Sequence, residues 1–164
     1  MSSKIVVVNE KDDVIGFKER ESLKSEEIYR VSALWITNNK GEILLARRAF
    51  SKSHDPGKWG PAVAGTIEEG ETYESNIVKE AEEELGIKNI KFSKVDKVRG
   101  VFGEHNYFCQ WYLANINKKL SEFKVRREEV AEIKWFSKQE LLTEFKKNPD
   151  EFLTTMKQWI ELFP

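Results

Sequence analysis

Apolar positions along the chain recur at two different spacings, and the change of period marks out the elements. KIVVV and VIGF flank the turn-rich NEKDD and predict an amino-terminal β-hairpin over about 4–18. A polar stretch, KERESLKSEE, follows. YRVSALWIT (Tyr29 to Thr37) is the next predicted strand, turned by NNKG into EILLARR as a second hairpin. From Ala49 to Pro61, AFSKSHDPGKWGP carries two prolines and two glycines and predicts a loop, after which AVAG leads into a glutamate-rich segment. KFSKVDKVRGVF (Lys91 to Phe102) and NYFCQWYLA (Asn106 to Ala114) predict paired strands around GEH, and EIKWF (Glu132 to Phe136) a further short one. Ser137 and Glu140 have capping-box spacing before the predicted helix KQELLTEF. Phe152, Leu153, Met156, Trp159, Ile160 and Phe163 then recur at helical spacing and predict a core-packing face. Strands mixed with a few helices imply an α+β or layered α/β fold.

The 164 residues suit one domain, 1–164, with no repeat or low-complexity linker dividing them. Acidic and basic residues nearly cancel, 28 against 27, and neither sign is gathered into an arm, so no nucleic-acid partner is expected. No apolar run reaches the length of a membrane span, and MSSKIVVVNEKDD lacks the apolar core of a secretory signal. A single cysteine, Cys109, excludes an internal disulfide framework and a multi-cysteine zinc site. A cytoplasmic location is the expectation. Aromatic residues of the last helix, if exposed, would suit a homodimer.

GTIEEGETYESNIVKEAEEELGI, Gly65 to Ile87, crowds like charges onto what otherwise reads as a helix, at a few tenths of a kcal/mol per repelling pair. With the helix over Tyr73 to Leu85, Thr72 caps its start and Glu74 opposes the dipole, while Gly86 suits the left-handed position past its end. Ile77, Val78, Ala81 and Leu85 form the side that packs on a sheet. Glu80, Glu83 and Glu84 fall within about 100 degrees of one another, and Glu82 points elsewhere. Such a stripe is either a solvated acidic face or a site for a hard cation such as Mg2+ or Mn2+, which prefers oxygen ligands.

The segment resembles the signature box of the Nudix hydrolases. Gly65, Glu71, Lys79, Glu80, Ala81, Glu83, Glu84, Gly86 and Ile87 stand at its fixed positions, with Lys79 where the family has arginine. The resemblance implies a mixed sheet sandwiched between helices, α/β/α, and cleavage of a diphosphate linked to another group X. It implies Mg2+ or Mn2+ held by Glu80, Glu83, Glu84 and the carbonyl of Gly65, with Glu71 orienting the ligands. Lysine at 79 keeps the charge but loses the arginine fork, which implies a tuned site. The implied partner is a small diphosphate metabolite.

VVVNEKDDVIGFKERES and ILLARRAFSKSHDPGKWGPAVAG are also similar to isopentenyl-diphosphate isomerase and the hydrolases related to it. On that pattern the catalytic cysteine position is Ala64, histidine positions are Thr66 and Tyr29, one glutamate survives as Glu104 and the other is Asn106. Alanine and an amide cannot move protons on carbon, so the resemblance implies a hydrolase of the isomerase-like branch, with the isomerase and a non-catalytic diphosphate-binding module as alternatives. A general base outside the box is sought among Glu104, Glu128, Glu129 and Glu132, with Glu132 preferred. Arg47 or Arg48, only one of which strand alternation turns inward, would contact phosphate. Trp59 would stack on a ring or anchor its loop, and Glu104 would line the substrate site. His54 and His105 stand alone in the sequence, and Cys109 reads as a small buried filler.

Overall fold

A computed structural model describes residues 3–163. A hairpin of β1 (Ile5–Val8) and β2 (Val14–Lys18) is followed by the long β3 (Ile28–Thr37), then β4 (Ile43–Arg48), β5 (Trp59–Pro61) and β6 (Val63–Thr66). Helix α1 (Tyr73–Leu85) comes next, then β7 (Ser93–Phe102), β8 (His105–Asn115) and β9 (Val130–Phe136). Helices α2 (Lys138–Lys147) and α3 (Met156–Leu162) close the described chain. Nine strands form one mixed sheet among the described residues.

The sheet is organised around β3. Along one edge β3 pairs in parallel with β8 from Tyr29↔Tyr107 to Thr37↔Asn115. Its other edge is shared in turn by β1, β6 and β4, all antiparallel. The alternation of side chains along β3 separates two cores. Leu34 and Ile36 pack with Ile77, Ala81 and Leu85 of α1 on one face. Ala33 and Trp35 pack with Trp111, Leu141, Met156 and Trp159 on the other, under α2 and α3. Each fully buried residue of this kind contributes about 2 kcal/mol of apolar burial. The outcome is the α+β, helix–sheet–helix layering that the sequence predicts.

Three local expectations change. The predicted loop from Ala49 to Pro61 ends in strand β5, because Trp59 finds a partner in Arg47 of β4 and is buried against Phe136. On α1 it is Asn76 that is buried, while Val78 is 41% exposed. The carboxy-terminal apolar run is not one helix. Pro149 starts a short 3-10 turn, Leu153 N–H then donates to Trp59 O at 2.9 Å, and only afterwards does α3 begin. Aromatic residues of this region pack inward. Trp159 lies 5.2 Å from Trp111, and Phe163 stacks on Trp35 at 4.9 Å, which removes the exposed aromatic face expected for a dimer. Among the described residues, no helix is long and apolar enough to cross a membrane.

Candidate active site

Helix α1 starts where its sequence says it should. Thr72 accepts from Ser75 N–H at 3.0 Å, and Ser75 Oγ accepts from Thr72 N–H at 2.9 Å, a reciprocal cap that satisfies two orphan donors. Gly86 ends it at φ 68°, a left-handed position where glycine carries no Cβ penalty. The helix is pinned to the sheet by a buried polar residue. Asn76 accepts from Ser32 Oγ and donates from Nδ2 both to Thr66 O at 3.2 Å and to Glu71 Oε2 at 2.9 Å. One amide thus locks β3, β6, the loop before the helix and the helix itself in register.

Glu71 is the hub of that loop. Besides Asn76 it accepts from Glu68 N–H at 2.9 Å and pairs with Lys79. Burial opposes its charge, but these hydrogen bonds win and hold the carboxyl below its ordinary value. Lys79 also lies 3.5 Å from Glu68 and 3.7 Å from Glu80. It therefore serves as a point charge among three acids, whereas an arginine would fork onto one.

The acids further along the helix lack such support. Burial pushes the Glu80 carboxyl up to about 7, and the charges of Glu83, Glu71 and Glu129 reinforce the shift against a single nearby lysine. Glu84 is also raised well above its ordinary value, by burial first and then by Glu80 and Glu129; Lys52 and a hydrogen bond from the Ala64 backbone offset only part of this. Gly65 is where the backbone meets them most closely. A Cβ placed there would lie 2.5 Å from Glu80 Cγ and 2.8 Å from Asn76 Oδ1. Among the described residues no three acidic, histidine or cysteine side chains already converge at coordinating distance. The chemistry of the donor set nonetheless fits a hard divalent cation. Carboxylates of Glu80 and Glu84 crowd together and repel one another close to Gly65, and a bound cation turns that repulsion into attraction.

Strand β6 separates this stripe from a cavity of about 440 Å³. Ala64 and Thr66 line the cavity, while Gly65 between them faces Glu80. Three cations enter from the rim: Arg20, Lys24 and Arg48. Arg20 donates to Thr66 Oγ1 and Arg48 to His54 O at 3.1 Å, while the charge of Lys24 reaches the Glu27 carboxylate. Tyr29, Glu104, His54 and His105 complete the polar part of the wall.

Other sequence candidates lie elsewhere. Alternation turns Arg48 to the cavity and Arg47 away from it, yet Arg47 is not merely solvated. It donates to Gly57 O at 2.7 Å and pairs with Glu151 at 3.0 Å. Glu132 lies with Arg47, 3.8 Å away, in a separate concavity of about 360 Å³. Trp59 is buried against Phe136, so its part is to anchor the loop. Glu129, not Glu132, is the acid outside α1 whose charge reaches Glu80 and Glu84. Glu128 is exposed and pairs with Arg126 at 3.9 Å. Cys109 lies in the cavity wall, and burial pushes its thiol above the ordinary range, which disfavours the thiolate.

Sequence reasoning missed Asn76, Arg20, Lys52 and the meeting of the two histidines. Asn76 alone carried a signal, as a polar residue in the predicted apolar stripe.

A family model for the NUDIX domain matches residues 27–156. An uncharacterised Nudix hydrolase of Yersinia pestis is 26% identical over 156 residues, covering 94% of this chain and 84% of its own. An isopentenyl-diphosphate Delta-isomerase of an Enterobacter species is also 26% identical, over 90% of this chain and 84% of its own. The crystal structure of DR0079 from Deinococcus radiodurans superposes with a TM-score of 0.85 at 22% identity, covering 98% of this chain and 99% of that one.

Proposed function

This chain belongs to the Nudix family and is a Nudix hydrolase, and we propose that it splits the phosphoanhydride bond of a nucleoside diphosphate linked to X, or of a similar diphosphate metabolite, with the help of Mg2+ or Mn2+. The observation that carries this reading is the strand β6, which has a repelling carboxylate stripe against one side and a cation-rimmed cavity against the other.

Glu80, Glu83, Glu84 and the Gly65 carbonyl would hold the ion. When bound, it lowers the pKa of a coordinated water and draws charge from the phosphoryl oxygens. Arg20, Arg48 and Lys24 bring fixed positive charge to the diphosphate. Glu71, braced by Lys79, Asn76 and the Glu68 amide, is a positioning residue. It holds the loop that begins the helix, so the carboxylates project at fixed heights. Glu129, set by its pair with Lys52, takes the role of base outside the helix and receives the proton of the attacking water.

The isomerase reading loses support at the positions its chemistry needs. Ala64 and Thr66 line the cavity but cannot exchange protons with carbon, and Asn106 is buried with its amide donating to Glu26 O at 3.1 Å. Purified protein incubated with Mg2+ or Mn2+ and a panel of nucleoside diphosphate derivatives tests the proposal. Turnover lost in Glu83→Gln is expected. Metal-dependent binding without hydrolysis of any compound would make the chain a binding module instead.

A further inference from the structure

The buried residues of α1 are Ile77, Ala81, Leu85 and one polar side chain, Asn76. Asparagine weakens a helix interior relative to alanine, and burying its amide is unfavourable unless the hydrogen bonds lost to water are replaced. Here they are replaced in full. Oδ1 accepts from Ser32 Oγ, and Nδ2 donates to Thr66 O at 3.2 Å and to Glu71 Oε2 at 2.9 Å. A backbone carbonyl and a carboxylate only accept, so the partners themselves set which end of the amide faces Glu71.

The bond to Glu71 has a counterpart on the other oxygen of the same carboxylate. Lys79, one turn further along α1, pairs with Glu71 Oε1. Two donors on one helix therefore take one oxygen each. A guanidinium does the same with its own parallel N–H groups, which hold both oxygens in one plane. An ammonium is a point charge and fixes no plane, and this one is shared with Glu68 at 3.5 Å and Glu80 at 3.7 Å. The Glu68 amide also donates to Oε2, at 2.9 Å, but it belongs to the same short loop as Glu71. Asn76 is tied outside that loop, through Ser32 to the buried centre of β3.

We infer that Asn76 is a positioning residue that completes a two-pronged clamp on Glu71. Its amide supplies the second donor that lysine at 79 lacks, and Ser32 holds that amide in place. Asn76 and Lys79 together match one arginine, so the two positions are coupled: a guanidinium at 79 makes the amide at 76 dispensable to Glu71. The kinetic readout of this coupling rests on the diphosphate-hydrolase reading, and the folding readout does not.

The test is a double-mutant cycle of Asn76→Ala and Lys79→Arg. Kinetics are measured with Mg2+ and whichever nucleoside diphosphate derivative of the panel is turned over. Asn76→Ala alone is expected to lower kcat/KM by about tenfold, through kcat and with KM nearly unchanged. In the Lys79→Arg background the same change should lower it only about twofold, because the fork now holds both oxygens. Equal losses in the two backgrounds would overturn the proposal and leave Asn76 as a pin between helix and sheet. If no compound is hydrolysed, the hydrolase reading fails separately, and urea midpoints of the same four proteins carry the cycle. A smaller drop on Asn76→Ala in the Lys79→Arg background supports the clamp, and an equal drop overturns it. Should Asn76→Ala fail to fold, the cycle is run with Asn76→Ser, a milder truncation that still removes the donor to Glu71, and is read by the same criterion.

Discussion

Two groups of half-buried or buried acids sit near opposite ends of α1, and they are treated in opposite ways. Asp12, at a left-handed position in the amino-terminal hairpin, is 6% exposed and saturated with donors. Arg30 Nε is 2.7 Å away, Lys97 Nζ 2.6 Å, and Tyr73 Oη 3.0 and 2.9 Å from its two oxygens. Burial opposes the charge, but these donors win and hold the carboxyl below its ordinary value. Glu80 and Glu84 are buried beside other acids instead, and their carboxyls are pushed up. One set has more positive charge than it needs and fastens the hairpin to β3, β7 and α1. The other has only Lys79 and Lys52 to offset several acids, as expected where a site is organised for a ligand at the expense of stability.

The largest effect that sharpens this contrast is on activity. Glu84→Gln should lower kcat/KM by about a hundredfold or more, while the metal-free variant unfolds at slightly higher denaturant than wild type, by about 1 kcal/mol. Steady-state kinetics and urea melts check the two halves together. A variant that lost activity and stability alike would place Glu84 with Asp12 as a structural acid. Asp12→Ala should do the reverse. Stranding Arg30 and Lys97 is expected to cost about 3 kcal/mol of folding stability, with affinity for Mn2+ unchanged at temperatures where the fold persists. Gly65→Ala comes next, at about 2 kcal/mol, because the new methyl meets Glu80 Cγ and Asn76 Oδ1. Its weakened Mn2+ binding, read by calorimetry, should exceed that of an equally destabilised core variant.

A further effect is in the pH dependence of the metal-free protein. Glu80 titrates at about 7 in the fold against an ordinary 4.5, so its contribution to stability is full below 4.5 and disappears as pH rises through about 7. Asp12 is depressed, so its contribution is present above its ordinary 3.8 and disappears as pH falls through the folded value. Urea midpoints should therefore peak on the weakly acidic side and decline both ways. Glu80→Gln should flatten the neutral limb, and Asp12→Ala the acid one.

The chain's sequence foretells one of these two regions far better than the other. The stripe is local. Its spacing, caps and terminal glycine fall within one helix and its flanks, so periodicity alone puts Glu80, Glu83 and Glu84 together and Gly86 at the end. Asp12 meets Arg30 18 residues away, Tyr73 61 away and Lys97 85 away, and no spacing rule reaches across such distances. The same holds in the cavity. His54 and His105 read as isolated residues because two loops on different strands bring them together, and Arg20 lay in a stretch with no period at all. Arg47 and Arg48 could be split by alternation, but which one faced the cavity depended on the register of β4 against β5 and β9. Glu129 lies in the turn before β9 and Glu132 within the strand, where the register against β4 is irregular, so alternation does not relate the two.

A divalent ion that binds the crowded acids must displace their protons. Titrating Mn2+ into the protein at pH 6.5, in buffers of different ionisation enthalpy, measures ion binding and proton release together. One bound ion with net proton release, both signals reduced together in Glu80→Gln, is the predicted result. No binding, or binding without proton release that survives Glu80→Gln, would contradict it.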